Sequence, residues 1–201
     1  MNSIARATVA ALIALLLAGC HAAMSTGSDH RSASDEGFDN SSARWPLEFR
    51  AHYFGVATYS TYGCQVVYDN ELVKVDPEDE LEISSASIGD KYPDNLTAGR
   101  GPYRNFPPPA VVNWRSSDGT PHEAEVDIGE IFKDQRVRHN ASREDVDEHG
   151  NDTAPKVILE VNDRTIKVYM RAMIGLKRPR FPDRPHSDFR YDLITVYSRT
   201  Y

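Results

Sequence analysis

The sequence predicts an all-β fold, a β-sandwich or a partly open barrel of short antiparallel strands and hairpins with long loops. Three observations support this prediction. After residue 45, apolar and polar residues alternate in many short runs, turn signals separate several pairs of these runs, and no helix of normal length is indicated. The chain has 201 residues, which leaves enough sequence for one domain that buries its own core.

Residues 1–19 are predicted to be a secretory signal that is removed. A positive start, which contains Arg6, precedes an apolar run over residues 7–17. A run of about 11 residues is too short to cross a bilayer core of roughly 30 Å as a stable helix. The alternative, a buried amphipathic helix, is disfavoured because the run is apolar on every face.

Leu17-Ala18-Gly19-Cys20 ends this leader. Ala18 and Gly19 are small enough for the narrow cleft of a peptidase, and Cys20 offers a thiol for lipid attachment. The motif resembles the lipobox of bacterial lipoproteins. The resemblance implies a diacyl thioether and an N-acyl group on Cys20. With His21 rather than Asp after the cysteine, it also implies the outer membrane, facing the periplasm. Several acyl chains together hold a protein firmly, whereas one alone anchors it marginally.

Residues 20–44 are predicted to be a flexible tether between this anchor and the body of the protein. The segment is rich in serine, and Phe38 is its only aromatic residue among Phe, Tyr and Trp. Too little apolar surface is available to offset the entropy cost of ordering it. The single folded domain is therefore assigned to residues 45–201.

The first half of the body predicts one strand and one hairpin before a long connection. Residues 47–53 alternate apolar and polar side chains, as a half-buried strand does. Residues 65–68 and 71–75 flank Asp69-Asn70, a two-residue hairpin turn. Residues 84–109 are rich in Gly, Pro, Asn and Asp, and predict either a binding loop or an inert surface crossing.

A second hairpin is predicted in the middle of the body. Residues 110–115 and 122–128 flank a turn that contains Asp118-Gly119, where glycine tolerates the positive φ of a tight turn. Residues 129–132 predict one helical turn, and residues 135–139 predict another strand.

The last third contains the clearest hairpin. Its arms, 156–161 and 165–174, are rich in β-branched residues and meet at Asn162-Asp163. An acidic loop over 143–152 precedes it, and a final strand is predicted over 189–197.

No catalytic or metal-binding motif is found, so no enzyme activity, cofactor or metal is predicted. The histidines are single and widely spaced, and no cysteine pair offers a tetrahedral zinc site. The acidic loop lacks the glutamate that a calcium loop requires. Once Cys20 carries lipid, Cys64 remains as a single thiol in a predicted strand, and we expect it to be buried and inert.

Charge identifies the candidate partner-binding residues. The net charge is −7, which argues against nucleic acid as a partner. Against this background the loop over residues 177–186 concentrates cations and prolines, and its basic residues are Lys177, Arg178, Arg180 and Arg184. Stiff chain and bidentate arginines favour contact with an acidic protein or a phosphorylated headgroup. The alternative is a solvated connection that balances the neighbouring acidic loops.

The hairpins over residues 112–127 and 157–173 loosely resemble small proteobacterial lipoproteins. Some of these are encoded beside type VI secretion effectors and act as periplasmic immunity proteins. The resemblance implies a membrane-anchored protein that binds a protein partner, with a toxic effector as the leading hypothesis. An assembly or structural role in the envelope is the alternative. A hydrolase would require a Ser–His contact, or paired acids in a cleft, formed only in three dimensions.

Overall fold

The computed structural model describes residues 45–147 and 154–201. The predicted signal peptide, the tether, Cys20 and part of the acidic loop lie outside these residues. Two β-sheets form a sandwich and remain separate, so the predicted all-β sandwich is confirmed and neither sheet closes into a barrel.

Most regular structure in the described residues is β-strand, with two short helical segments. The strands are β1 Ala51–Tyr59, β2 Thr61–Tyr68, β3 Glu71–Val75, β4 Arg100–Arg104, β5 Ala110–Ser116, β6 Pro121–Val126, β7 Lys156–Asn162, β8 Thr165–Arg171, β9 Ile174–Gly175, β10 Phe189–Arg190 and β11 Leu193–Thr200. A 3₁₀ helix spans Ser85–Lys91, and a single turn of α-helix, α1, spans Ile128–Ile131.

One sheet has five strands in the order β11-β8-β7-β1-β4, and the other has four in the order β3-β2-β5-β6. Strands β9 and β10 form a separate two-stranded ribbon. Most neighbours are antiparallel, but β1 and β7 run parallel, with Tyr53 opposite Lys156. All four strands of the other sheet lie between β1 and β7 in the sequence. No local turn signal can therefore predict the pairing of β1 with β7.

The core lies between the facing sheets. Alternate residues of each strand point inward and form one apolar cluster, to which the five-stranded sheet contributes Val157, Leu159, Ile166, Val168 and Met170, and the four-stranded sheet Cys64, Val66, Tyr68, Val112 and Trp114. The rings of Phe54 and Tyr68 stack with their centroids 4.1 Å apart, which ties β1 to β2 across the core.

The predicted strand over residues 47–53 is displaced toward the C-terminus. Strand β1 begins at Ala51 and continues to Tyr59, while Glu48 makes only an isolated bridge to Arg136. The predicted strand over 135–139 is therefore reduced to that bridge. Residues 54–59 escaped prediction because a strand covered on both faces shows no alternation of apolar and polar residues.

The 84–109 connection contains the 3₁₀ helix and β4, and its part before β4 packs on the outer face of the five-stranded sheet. Leu96 and Ala98 pack there against Ile158 and Tyr169 in a second apolar cluster. Gly55 allows this close approach, because a Cβ at that position would lie 2.5 Å from the Thr97 carbonyl oxygen.

The other predicted hairpins are present at their turns. Strands β2–β3, β5–β6 and β7–β8 pair as expected. The predicted final strand is divided into β10 and β11, and the arm predicted to end at residue 174 is divided into β8 and β9.

Candidate functional site

The basic loop is the tip of a hairpin whose base is the β9–β10 ribbon. Phe189 pairs with Gly175 and Arg190 with Ile174. Beyond the ribbon, backbone bonds from Leu176 N to the Asp188 oxygen (2.8 Å) and from Arg180 N to the Ser187 oxygen (3.0 Å) extend the ladder. We call residues 173–191 the basic–aromatic hairpin.

The tip has a defined conformation set by Ser187. Its hydroxyl accepts a bond from Phe181 N at 3.0 Å and donates to the Arg184 carbonyl at 2.7 Å. A bond from Arg184 N to the Phe181 carbonyl, also 3.0 Å long, closes the turn. The Ser187 hydroxyl and the main-chain bond therefore shape the tip together, and less entropy is lost on binding than for a mobile loop.

Two of the four predicted binding residues come together here. The guanidinium carbons of Arg180 and Arg184 lie 5.3 and 5.4 Å from the centroid of the exposed Phe181 ring, within the range of cation–π interaction. Arg184 also faces Asp183 at 4.0 Å, but both groups are exposed, so this pair is weak.

The other two predicted residues, Lys177 and Arg178, have different surroundings. Lys177 is exposed, and its Nζ donates to the carbonyl of Glu144 at 3.0 Å, which joins the hairpin to the acidic loop. Arg178 is also exposed, and no ion pair among the described residues includes it.

Sequence reasoning missed the apolar part of this surface. The ribbon buries Ile174 on one face, while Met173, Phe189 and Tyr191 are exposed. The sequence predicts Phe189 and Tyr191 only as part of a final strand over residues 189–197. Aromatic residues that flank an arginine cluster were the available signal, because Tyr, Phe, Met and Arg are enriched in protein interfaces.

A Ser–His contact is present at one end of the sandwich, in the β5–β6 hairpin. His122 Nε2 lies 3.0 Å from Ser116 Oγ. The carboxylate of Asp118 accepts a 2.6 Å bond from that hydroxyl and a 3.0 Å bond from Thr120 N. Ser116 is fully buried, and its hydroxyl proton is held by Asp118. The contact therefore braces a turn, unlike a nucleophile whose proton passes to histidine.

The same cluster joins two hairpin turns. Trp114 Nε1 donates to the carbonyl of Asp163 at 2.7 Å, and the ring of Trp114 stacks on His122. Asp118 forms an ion pair with Arg164, and the bond from Ser116 is the largest cause that lowers the pKa of Asp118. These contacts hold the β5–β6 turn against the β7–β8 turn.

His52 is fully buried in the core near β4. Asn105 Nδ2 donates to the Phe49 carbonyl, which orients the amide oxygen of Asn105 toward His52 Nδ1 at 2.9 Å. Nδ1 therefore carries the proton, and Nε2 accepts from the Tyr68 hydroxyl at 2.9 Å. Burial lowers the pKa of His52, and the bond to Asn105 offsets this only in part.

This histidine predicts an acid-sensitive fold. Because the folded-state pKa lies below the ordinary value of 6.5, the stabilisation is fully present above pH 6.5 and is lost as the pH falls below it. Burial lowers the pKa of His139 as well, with the same sign. We expect the free energy of unfolding, followed by tryptophan fluorescence in denaturant, to fall between pH 7 and pH 5.

The variant His52→Leu should flatten this pH dependence, although the loss of two hydrogen bonds also lowers stability at every pH. His186→Ala, at an exposed position, is the matched control and should keep the wild-type slope. A wild-type slope in His52→Leu would show that His52 is not the titrating group.

A buried carboxylate lies on the outer face of the five-stranded sheet. Glu160 of β7 is fully buried; its Oε1 accepts from Tyr92 (2.6 Å) and Asn162 (3.1 Å), and its Oε2 accepts from Tyr169 (2.5 Å). Burial, reinforced by the Glu160 carboxylate, raises the pKa of Tyr169, so its hydroxyl stays protonated and donates. This cluster fastens the 84–99 segment to the sheet.

The remaining sequence candidates are placed as follows. Cys64 is buried in β2, and burial, together with Asp76, raises the pKa of its thiol to about 12. Across the described ranges, no group of three or more His, Cys, Asp or Glu side chains could hold a metal ion. Over the same ranges, none of the helices has the length and apolar character needed to cross a membrane.

Comparisons with known proteins found no match for this chain. It matches no protein-family model, and no curated protein or solved structure is significantly similar to it.

Proposed function

We propose that the chain is a lipid-anchored envelope protein whose β-sandwich binds another protein through the basic–aromatic hairpin. The observation that carries this proposal is the exposure of Met173, Phe181, Phe189 and Tyr191 on a hairpin that also presents Arg178, Arg180 and Arg184. Large apolar anchors beside arginines are typical of the residues that dominate binding energy in protein interfaces.

The charge of the hairpin favours an acidic protein as the partner. The hairpin carries five cationic and two acidic residues, whereas the whole chain has a net charge of −7. An acidic partner is therefore attracted to this surface and repelled by most of the rest of the molecule. The overall charge also disfavours nucleic acid, which needs a broadly basic surface.

Within this class, a toxic effector neutralised in the periplasm is the partner we propose. A hairpin whose tip is preordered by hydrogen bonds is suited to covering the active site of another protein, which gives steric inhibition. Stable capture of a secretion-machine or cell-wall subunit, without protection from any effector, would instead support the envelope assembly role.

Photo-crosslinking tests the proposed surface directly. We expect benzoylphenylalanine in place of Phe189, in the full chain expressed in bacteria, to form an adduct with an envelope protein that mass spectrometry identifies. Trp45 is the matched control, because it is 39% exposed against 43% for Phe189 and lies outside the hairpin. Equal adducts from both positions, or none from Phe189, would contradict the proposal.

Rescue of growth then tests the immunity role. Co-expression of the full chain with the effector candidate identified by crosslinking should restore growth when that protein is directed to the periplasm. The charge-reversed variant Arg180→Glu/Arg184→Glu should lose this rescue while it stays in the membrane fraction, because like charges then oppose an acidic partner. Full rescue by this variant would exclude the hairpin as the inhibitory surface.

A further inference from the structure

The exposed large apolar residues of the described chain fall into two groups and one isolated residue, Trp45. Four belong to the basic–aromatic hairpin. The other five lie between residues 67 and 83, namely Val67, Leu72, Val75, Leu81 and Ile83. Clustered exposed apolar residues mark an interaction site, whereas isolated exposed residues are ordinary.

A β-bulge creates part of the second group. Leu72 pairs with Val67 and Val75 pairs with Gln65, while the register shifts between Val66 and Val67. Because Gln65 and Val67 share the outer face of β2, the extra residue in β3 brings both Leu72 and Val75 to that face. Without the bulge, residues three apart in a strand would face opposite ways.

The chain continues along the same edge of the sheet after β3. Asp76 N donates to the Cys64 carbonyl (2.9 Å), Gly63 N donates to Pro77 (3.0 Å), and Glu82 N donates to Thr61 (2.9 Å). Residues 71–83 therefore follow β2 along most of its length as the outermost segment. We call residues 67–83 the acidic edge.

The acidic edge and the basic–aromatic hairpin carry opposite charges. The edge has seven acidic residues and one lysine, and the hairpin has five cationic and two acidic residues. Lys74 forms an ion pair with Asp76 at 2.6 Å, and Arg115 forms a longer one with Glu78 at 3.7 Å. Asp79 and Glu80 are exposed and enter no ion pair among the residues described here.

We propose that the acidic edge of one copy of this chain binds the basic–aromatic hairpin of a second copy. Both surfaces offer apolar anchors of similar exposure, and their charges are complementary. The contact joins two different surfaces, so it is heterologous and can continue from copy to copy as an open chain. This inference rests on the proposed function, since it gives the same hairpin a second occupant that competes with the partner protein.

The expected association is weak and depends on the surroundings. Copies with a net charge of −7 repel one another at long range, but a Debye length of about 8 Å at physiological salt screens that repulsion more than contact pairs. Confinement of anchored copies to one membrane raises their effective concentration, which favours the contact without any new interaction.

Cysteine crosslinking in the full chain tests this contact. Cells that co-express Val75→Cys and Phe189→Cys variants should form crosslinked dimers with a short bismaleimide, whereas either variant alone should not. A single chain with both substitutions should give a ladder of higher oligomers. The parent chain is the control for Cys20 and for Cys64, which is buried.

Charge exchange provides the second arm of the test. Asp79→Arg/Glu80→Arg, or Arg180→Glu/Arg184→Glu, added to the double-cysteine chain, should each reduce the ladder by at least about fivefold, and the four changes together should restore it. No crosslinking in the mixed cells, crosslinking of single-cysteine variants with themselves, or no restoration would overturn the proposal. If the ladder is absent while the photo-crosslinked adduct with another protein persists, self-association fails and the proposed function stands.

Discussion

Replacement of Glu160 by alanine is expected to lower the free energy of unfolding by roughly 2–5 kcal/mol, because it leaves buried donors without an acceptor. Tyr169 loses its 2.5 Å bond, and both Tyr92 and Asn162 lose their bonds to the other carboxylate oxygen. The segment over residues 84–99 then keeps its apolar contacts with the sheet and the bonds from Arg171 to the Asp94 carbonyl (3.1 Å) and from Asn162 to the Ser85 hydroxyl (2.8 Å). Denaturant unfolding of the full chain in detergent, followed by the fluorescence of buried Trp114, measures the change.

Two further variants separate hydrogen bonding from the loss of volume. Glu160→Gln keeps the shape and one acceptor oxygen, so we expect it to lose less stability than Glu160→Ala. In a double-mutant cycle, Tyr169→Phe should be less harmful in the Glu160→Ala background than in the wild type, because the hydroxyl has already lost its acceptor. Additive effects would show that the two side chains do not depend on each other.

Replacement of Cys20 by alanine is expected to abolish acylation and release the protein from firm membrane attachment. Without the thiol no thioether can form, and the chain should then become soluble or retain an uncleaved leader. Mass spectrometry of the mature protein and alkaline washing of the membrane fraction measure the two consequences. Several acyl chains bind a bilayer far more strongly than one, so the change should be close to all or none.

Cys64→Ala is the matched control for this experiment. Cys64 is a buried core residue, and its replacement should cost some stability while the protein remains in the membrane. If Cys20→Ala is cleaved and still resists alkaline extraction, the lipid anchor is not on Cys20.

The hairpins could be predicted because their signals are local. Asp69-Asn70, Asp118-Gly119 and Asn162-Asp163 lie at turns between strands that then pair directly. Asp69, Asn70 and Asp163 adopt positive φ in the structure, as does Gly119, and side chains that tolerate this conformation are visible in the sequence. The β-class of the fold follows from several such units without knowledge of their order.

The arrangement of those units could not be predicted in the same way. The chain passes from one sheet to the other at Ser60, which has a φ of 52°, and β1 pairs in parallel with β7, whose residues lie just over a hundred positions later. Neither feature has a turn motif, because the pairing depends on which buried faces fit together. The period-two pattern of burial holds from Leu47 to Ala51 and breaks at the start of β1, where His52 is buried and Tyr53 is half-exposed.

By itself, the sequence determined the hairpins, the β-class and the concentration of positive charge in residues 177–186, because each depends on neighbouring residues. Only the tertiary structure decided what surrounds a side chain. It buried Glu160 under Tyr92, brought Arg180 and Arg184 onto Phe181, and left Leu72 and Val75 on one exposed face. Burial and surface composition arise from segments distant in the chain, so the aromatic residues of the proposed partner-binding surface could be recognised only in the tertiary structure.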